Sequence, residues 1–166
     1  MINPILITKT ELQDIQETLI SLLNTFPELP SQIKSDGIFL EQLKPKNISM
    51  CLSTIRNPRK IRIDIDESYI AKYQFKIILQ TMDTTNEERI ESQAILSKIS
   101  EWFEGREILS ENGTKYSLDE YPKMSNHRKL IGIYSNSFPK LVQRLPPNIE
   151  ITDCTFSAEY YVKNDF

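Results

Sequence analysis

The sequence contains few of the residues from which catalytic and metal-binding sites are usually built. Its 166 residues include one histidine, two cysteines and four glycines. His127 is the only base for a serine nucleophile, and no GxSxG elbow accompanies it. Neither a P-loop nor a GxGxxG phosphate-binding loop is present, and Cys51 and Cys154 lie too far apart for a zinc motif. We therefore predict no enzyme activity, no metal and no cofactor, and place His127 in an exposed loop.

The chain also lacks an excess of positive charge and long apolar runs. Its formal net charge is -3, whereas proteins that bind nucleic acid generally carry a basic surface. No stretch is long enough to cross a membrane, and the first residues do not have the pattern of a signal peptide. We expect a soluble, unsecreted protein with no membrane contact, in which both cysteines are reduced and packed as small apolar groups.

Two segments have the period of amphipathic helices. The first begins at Thr8, which has capping-box spacing to Glu11, and ends before Pro27. Its apolar positions recur at helical intervals: Leu12, Ile15, Leu19, Leu22, Leu23 and Phe26. The second begins at Thr85, which is paired in the same way with Glu88, and ends at Gly105. Its apolar face includes Ile95, Leu96, Ile99, Trp102 and Phe103.

Most remaining segments alternate with the period of two that is typical of strands. They predict strands over 37–43, 48–55, 61–65, 69–79, 130–138 and 152–162. The pair Asn57-Pro58 should separate the second strand from the third, and Ile61, Ile63 and Ile65 should form a half-buried face. Segments 27–35 and 139–149 are interpreted as connections, and 108–128, which contains Asn112-Gly113, as a hairpin excursion.

The order of these elements predicts one α+β domain over residues 1–166. Short connections between successive strands favour a mainly antiparallel sheet, with the two principal helices packed on one side. Strand and helix spacing assigns the following aromatic residues to the core rather than to base stacking: Tyr69, Tyr73, Phe75, Trp102, Phe138, Phe156 and Tyr160.

Two charged groups are candidate sites. Asp64, Asp66 and Glu67, with Lys76, could hold Mg²⁺ and activate water as in a nuclease, although a solvated or inter-subunit strand face is the favoured interpretation. The second group surrounds Pro58 and could contact phosphates or an acidic neighbour, whereas four charges in a loop are more often simply solvated: Arg56, Arg59, Lys60 and Arg62.

Three segments together resemble a known family. They are YIAKYQFKIILQT, NEERIESQAILSKISEWFE and IGIYSNSFPKLVQRLPPNIEITDCTFSAEYYV. In this order they are similar to the small tail terminator proteins, often called minor capsid proteins, of siphophages that infect Gram-positive bacteria. The resemblance spans nearly the whole chain and depends on element order and short degenerate strings.

The resemblance implies a structural role in the virion. A ring of identical subunits, six in the family, would cap the head-proximal end of the tail tube, stop tube polymerisation and provide the surface for head attachment. It would assemble in the host cytoplasm, contact tail tube protein and a head-completion or connector protein, and let DNA pass through its lumen without sequence recognition. A closed ring requires one surface of each subunit to fit a different surface of the next.

Under this interpretation the basic residues Arg56, Arg59, Lys60 and Arg62 would face a neighbouring subunit or the DNA channel. A second group would contact the tube or connector: Lys140, Arg144, Pro146 and Pro147. The family implies no catalytic positions. The alternatives are another phage head-tail protein, such as a head-completion or tail tube subunit, the Mg²⁺-dependent nuclease, and a monomeric adaptor or regulatory protein.

Overall fold

A computed structural model describes residues 8–43, 48–82, 85–125 and 127–164 of the chain. Within these residues, three helices and eight strands follow one another in an α+β arrangement. In chain order they are α1 (Lys9–Asn24), α2 (Ser31–Asp36), β1 (Phe39–Leu40), β2 (Ile48–Ile63), β3 (Tyr69–Met82), α3 (Asn86–Phe103), β4 (Ile108–Leu109), β5 (Lys115–Tyr116), β6 (Arg128–Ser135), β7 (Lys140–Leu145) and β8 (Ile149–Val162).

Both principal helices begin and end as their sequences predict. The Thr8 and Thr85 side chains accept hydrogen bonds from the backbone N–H groups of Glu11 and Glu88, which satisfies donors that the first helical turn leaves unpaired. Gly105, just after α3, has a φ of 84°, the left-handed conformation that commonly ends a helix. The segment 27–35, interpreted as a connection, instead contains most of α2. Six residues are too few to produce a readable helical period.

The main sheet has the strand order β1-β2-β3-β8-β6, and β7 also pairs with β8. Every pairing in it is antiparallel except the two-residue parallel contact of β1 with β2. Because β6 and β7 pair with different halves of β8, they lie one after the other along one edge of the sheet. The predicted mainly antiparallel α+β fold is confirmed, and β4 and β5 form the predicted hairpin around Asn112-Gly113.

The predicted break at Asn57-Pro58 is wrong, because β2 runs without interruption from Ile48 to Ile63. Its register against β3 shifts between Arg56 and Arg59, so this stretch is a β-bulge. A proline is tolerated there because a bulge, like a sheet edge, leaves backbone N–H groups outside the ladder. The two strands predicted from the sequence are therefore one long irregular strand.

Three other strand predictions differ from the structure, one of them because β6 ends at Ser135 and not at Phe138. The strand expected over 37–43 is reduced to the two residues of β1. The segment 139–149, interpreted as a connection, contains β7 and the start of β8. β7 carries exposed polar and basic residues on an edge, and such a strand lacks the alternating apolar pattern by which strands are recognised.

The core lies between the sheet and the two principal helices, which pack on the same face. Phe75 and Phe156 are register partners on neighbouring strands and stack with ring centroids 5.4 Å apart. Phe103 of α3 meets Phe156 edge-on at 5.5 Å, and Ile15 and Leu19 of α1 are also fully buried. One of the aromatic residues assigned to the core is misplaced, because Phe138 is 90% exposed in the connection between β6 and β7.

Phe156→Ala should cost about 3–5 kcal/mol in free energy of unfolding, because it removes a fully buried ring and leaves a cavity between two others. Phe138→Ala is the matched control and should change the stability by about 0.5 kcal/mol or less, since its ring is exposed. Urea unfolding followed by circular dichroism measures both. Equal losses in the two variants would contradict this description of the core.

Candidate functional site: two opposite corners of the sheet

The four basic residues around Pro58 all lie on the outer half of β2 rather than in a loop. Arg56, Arg59 and Arg62 are register partners of Gln74, Lys72 and Ile70. Residues opposite each other in a ladder point to the same face, and this face is the one turned away from the helices. Lys60 points to the helix side, where its Nζ lies 4.4 Å from the centroid of the Tyr69 ring.

This half of β2 is an open edge of the sheet. β1 pairs only with Cys51 and Leu52, and the side chain of Glu41 accepts hydrogen bonds from the backbone N–H and hydroxyl of Thr54. Between Ile55 and Ile63, β3 is the only strand that pairs with β2 among the described residues. Natural proteins either protect such an edge with charges, prolines and bulges or pair it with another chain.

Isoleucines alternate with the basic residues along the same edge. Ile55, Ile61 and Ile63 are each about half exposed, and Ile65 is completely exposed in the turn that follows. The prediction that Ile61, Ile63 and Ile65 form a half-buried strand face is therefore wrong for Ile65. Ile61 and Ile63 do lie on the strand, with about half of each side chain exposed. Ile61 falls at the bulge between Lys60 and Arg62, and Ile65 lies beyond the strand. This edge is thus apolar as well as basic.

The acidic group Asp64, Asp66 and Glu67 belongs to the turn between β2 and β3, not to a strand face. Asp64 accepts a hydrogen bond from Arg62 at 3.2 Å, Asp66 accepts one from the N–H of Ser68 at 3.0 Å, and Glu67 has a φ of 69°. No group of three or more His, Cys, Asp or Glu residues is placed to hold a metal ion within 8–43, 48–82, 85–125 and 127–164. These carboxylates shape the turn.

The second predicted group lies on β7 and in the turn before β8. Arg144 is 3.7 Å from Glu150, which is buried and also accepts two hydrogen bonds from Arg89 of α3, at 2.7 and 2.9 Å. The hydrogen bond to Glu150 raises the pKa of Arg89. The peptide bond between Pro146 and Pro147 is cis, and both prolines line an open cleft of about 360 Å³ beside Arg89 and Arg144.

The two predicted groups occupy diagonally opposite corners of the sheet. Arg59 and Arg62 pair with the first residues of β3, which in turn pair with the last residues of β8. Lys140 and Arg144 pair with Asp153 and Glu150 at the other end of β8, along the opposite edge. The structure does not bring the groups together, so they form two separate surfaces.

A buried polar cluster that the sequence did not predict fixes the start of α1 to the sheet. The hydroxyl groups of Tyr69 and Tyr160 donate to the two carboxylate oxygens of Glu11, the second at 2.9 Å. Arg128 donates to Asp14 at 3.0 Å and places its Nε 3.6 Å from Glu11. Burial, and then the neighbouring Glu11, raise the pKa of both tyrosines, so their phenols stay protonated as donors.

A second unpredicted feature is the irregular segment between β6 and β7. Ser137 bridges it to β8, because its hydroxyl accepts from the N–H of Thr155 at 3.0 Å and its carbonyl accepts from Cys154 at 3.1 Å. Phe138 projects from this segment beside a cleft of about 370 Å³ that is also lined by Glu104, the residue after α3. The polar string SNS was the only sequence signal of this irregular segment.

The two cysteines and the histidine lie in the surroundings that the sequence predicts. Both cysteines are reduced and buried, as predicted, and burial raises the pKa of Cys51 to about 11, so its thiol is not an activated nucleophile at neutral pH. His127 is exposed, as predicted. No helix within the described residues is both long enough and apolar enough to cross a bilayer.

Comparison with other proteins assigns no family. No protein-family model matches the chain, and no curated protein matches it. The surfaces must therefore be interpreted from their own geometry.

Arg128→Met should destabilise the protein by about 3–5 kcal/mol, because two buried carboxylates would lose their cation. Arg106→Met is the matched control; its exposed pair with Glu104 should contribute about 1 kcal/mol or less. Urea unfolding of both variants measures the losses, and equal losses would contradict the assignment of a buried polar cluster.

Proposed function

We propose that this chain is a structural subunit of a phage tail. Copies of it form a closed ring at the head-proximal end of the tail tube, stop the addition of further tube subunits and provide the surface to which the head attaches. The resemblance of three long segments to tail terminator proteins suggests this role. In the virion the protein lies at that end of the tail, and it binds itself, the tube protein and a head-completion or connector protein.

The observation that carries this proposal is the open edge of β2. A strand edge that exposes Ile55, Ile61 and Ile63 beside arginines is unfavourable to leave in water, and such edges commonly pair with another protein. The edge belongs to a long strand that is anchored in the sheet by β3, so it is a rigid surface. Rigid surfaces bind without a large cost in conformational entropy, which suits a protein that assembles.

A second, separate surface supports a subunit with more than one kind of contact. Lys140, Arg144 and the Pro146-Pro147 turn lie on the opposite edge and at the opposite end of the sheet from the β2 edge. A subunit of a closed ring needs contacts to its neighbours, and a ring that joins two larger assemblies needs others. We assign the β2 edge to contacts within the ring and the β7 corner to contacts with the tube or the connector.

Related tail roles make different predictions for the tube. A tail tube subunit would extend the tube, and a head-completion protein would leave its length unchanged. A terminator instead blocks growth at one end. These roles therefore differ in an assay that measures the length of tubes, although all three involve subunits that associate.

Purified chain added to polymerising tail tube protein from the same phage should bind one end of each tube and shorten the tubes. Electron microscopy measures the lengths, and light scattering after size-exclusion chromatography should show a closed assembly of about six copies, alone or on the tube. Tubes of unchanged length, with the chain monomeric in both conditions, would contradict the proposal.

A further inference from the structure

The outer face of α3 carries an acidic stripe that none of the preceding assignments uses. Glu87, Glu91 and Glu101 are exposed, together with Ala94 and with Ile90, which is 69% exposed. Their spacing of three, four and seven residues puts them on one face of the helix. The opposite face is buried against the sheet, so the stripe points away from the body of the protein.

This stripe keeps a net negative charge although Lys98 lies on the same face, because both basic residues of α3 pair with carboxylates outside the helix. Arg89 is 2.6 Å from Glu150, and Lys98 is 2.9 Å from Glu28. Within the residues that the structure describes, no cation pairs with the carboxylates of Glu87, Glu91 or Glu101. Ile90 is thus exposed between the carboxylates of Glu87 and Glu91, and Glu101 lies further along the same face.

The β2 edge is complementary to this stripe in charge and in apolar character. Arg56 and Arg59 form no ion pair within the described residues, and Arg62 has only an exposed contact with Asp64 at 3.2 Å. Ile55, Ile61 and Ile63 adjoin these arginines along the strand, as Ile90 adjoins Glu87 and Glu91 on α3. Complementary potentials of this kind give specificity and fix the orientation of two docking surfaces.

The β2 edge is shorter than the acidic stripe. Arg56 and Arg62 pair with Gln74 and Ile70, which are four residues apart on β3, so this bulged part of β2 extends about 13 Å. From Glu87 to Glu101 the helix extends about 21 Å at the rise of an α-helix. The strand can therefore lie within the length of the stripe.

One subunit cannot join these surfaces to each other. α3 packs over β6 and β8, at one side of the sheet, whereas α1 lies over β2 at the other side. No ion pair links the β2 edge to α3 in the described part of the chain. A contact between them must come from a second copy, and because the two surfaces differ, each copy can bind one neighbour on either side.

The alternative contact between copies, β2 against the opposite edge, would oppose like charges. That edge carries Lys129, Lys140 and Arg144. Placing these beside the arginines of β2 is unfavourable, since like charges across an interface cost several kcal/mol. Electrostatics therefore favour docking of the β2 edge on α3 over docking on the edge formed by β6 and β7.

We propose that the basic β2 edge of one copy docks on the acidic α3 stripe of the next, head to tail around the ring. This inference rests on the proposed function, because it assumes that copies of the chain associate. It names the two surfaces that make each contact. It also leaves the β7 corner free for the tube or the connector.

Charge reversal in the full-length chain tests the contact. One variant carries Arg56→Glu, Arg59→Glu and Arg62→Glu, and a second carries Glu87→Lys, Glu91→Lys and Glu101→Lys. Each alone should associate about tenfold or more weakly than the wild type, because its two docking surfaces have the same sign. Their mixture should assemble, since each basic surface then meets an acidic one. A chain with all six changes should assemble by itself.

Sedimentation and electron microscopy, with and without tail tube protein, measure assembly, and circular dichroism checks that each variant is folded. The matched control reverses three exposed lysines elsewhere, Lys34→Glu, Lys123→Glu and Lys129→Glu, and should assemble with itself as the wild type does. If neither the mixture of the two triple variants nor the chain with all six changes assembles, the proposed contact is wrong.

The outcomes separate this contact from the function proposed above. If the wild type forms rings and both triple variants form them equally well, the contact is wrong and the ring stands. If the arginine variant loses assembly and the glutamate variant does not, the β2 edge binds another surface, and the α3 contact is wrong. If the wild type forms no ring with or without tube protein, the proposed function fails, and the contact fails with it.

Discussion

The structure depends most on the pairing of β3 with β8. The two strands keep one register without a shift from Tyr69 opposite Val162 to Met82 opposite Ile149. Because side chains alternate between the faces of a strand, this single ladder decides which residues of both strands meet the helices and which face away. This pairing places Phe75 against Phe156 beneath α3. It also puts β2 on one side of the sheet and β6 and β7 on the other. Both candidate surfaces follow from that arrangement.

The regular parts of this fold could be predicted from the sequence because their signals are local. Thr8 and Thr85 mark helix starts through hydrogen bonds to residues three positions away, and the alternation of β3 and β8 directly records a buried and an open face. The irregular parts depend on contacts distant in sequence. A proline normally ends a strand, and Pro58 does not, because the bulge on β2 accommodates it. Nothing within a few residues of Pro58 indicates that bulge.

The candidate surfaces were predicted in part. The residues of the β2 edge and of the β7 corner stand out by charge, but their separation to opposite corners follows from the strand order, which pairs β8 with β3 across some eighty residues of sequence. The sequence also could not show that α3 has an uncompensated acidic face. That depends on Arg89 and Lys98, whose partners Glu150 and Glu28 are sixty to seventy residues away.

The β2 edge combines features that hinder unspecific pairing with features that favour a specific partner. Bulges, Pro58 and three arginines make it a poor template for an arbitrary strand. The exposed isoleucines still provide apolar area, which becomes available to a partner that also neutralises the arginines. A surface of this kind selects by charge and gains part of its affinity from apolar burial.

The central claim is that identical copies associate head to tail at one end of a tail tube. A cryo-electron microscopy reconstruction of the tube end with this chain bound tests it most directly. We predict one closed ring at a single end, with the β2 edge of each copy against α3 of its neighbour. Density for isolated copies, for copies along the length of the tube, or for a ring joined through other surfaces would contradict the account.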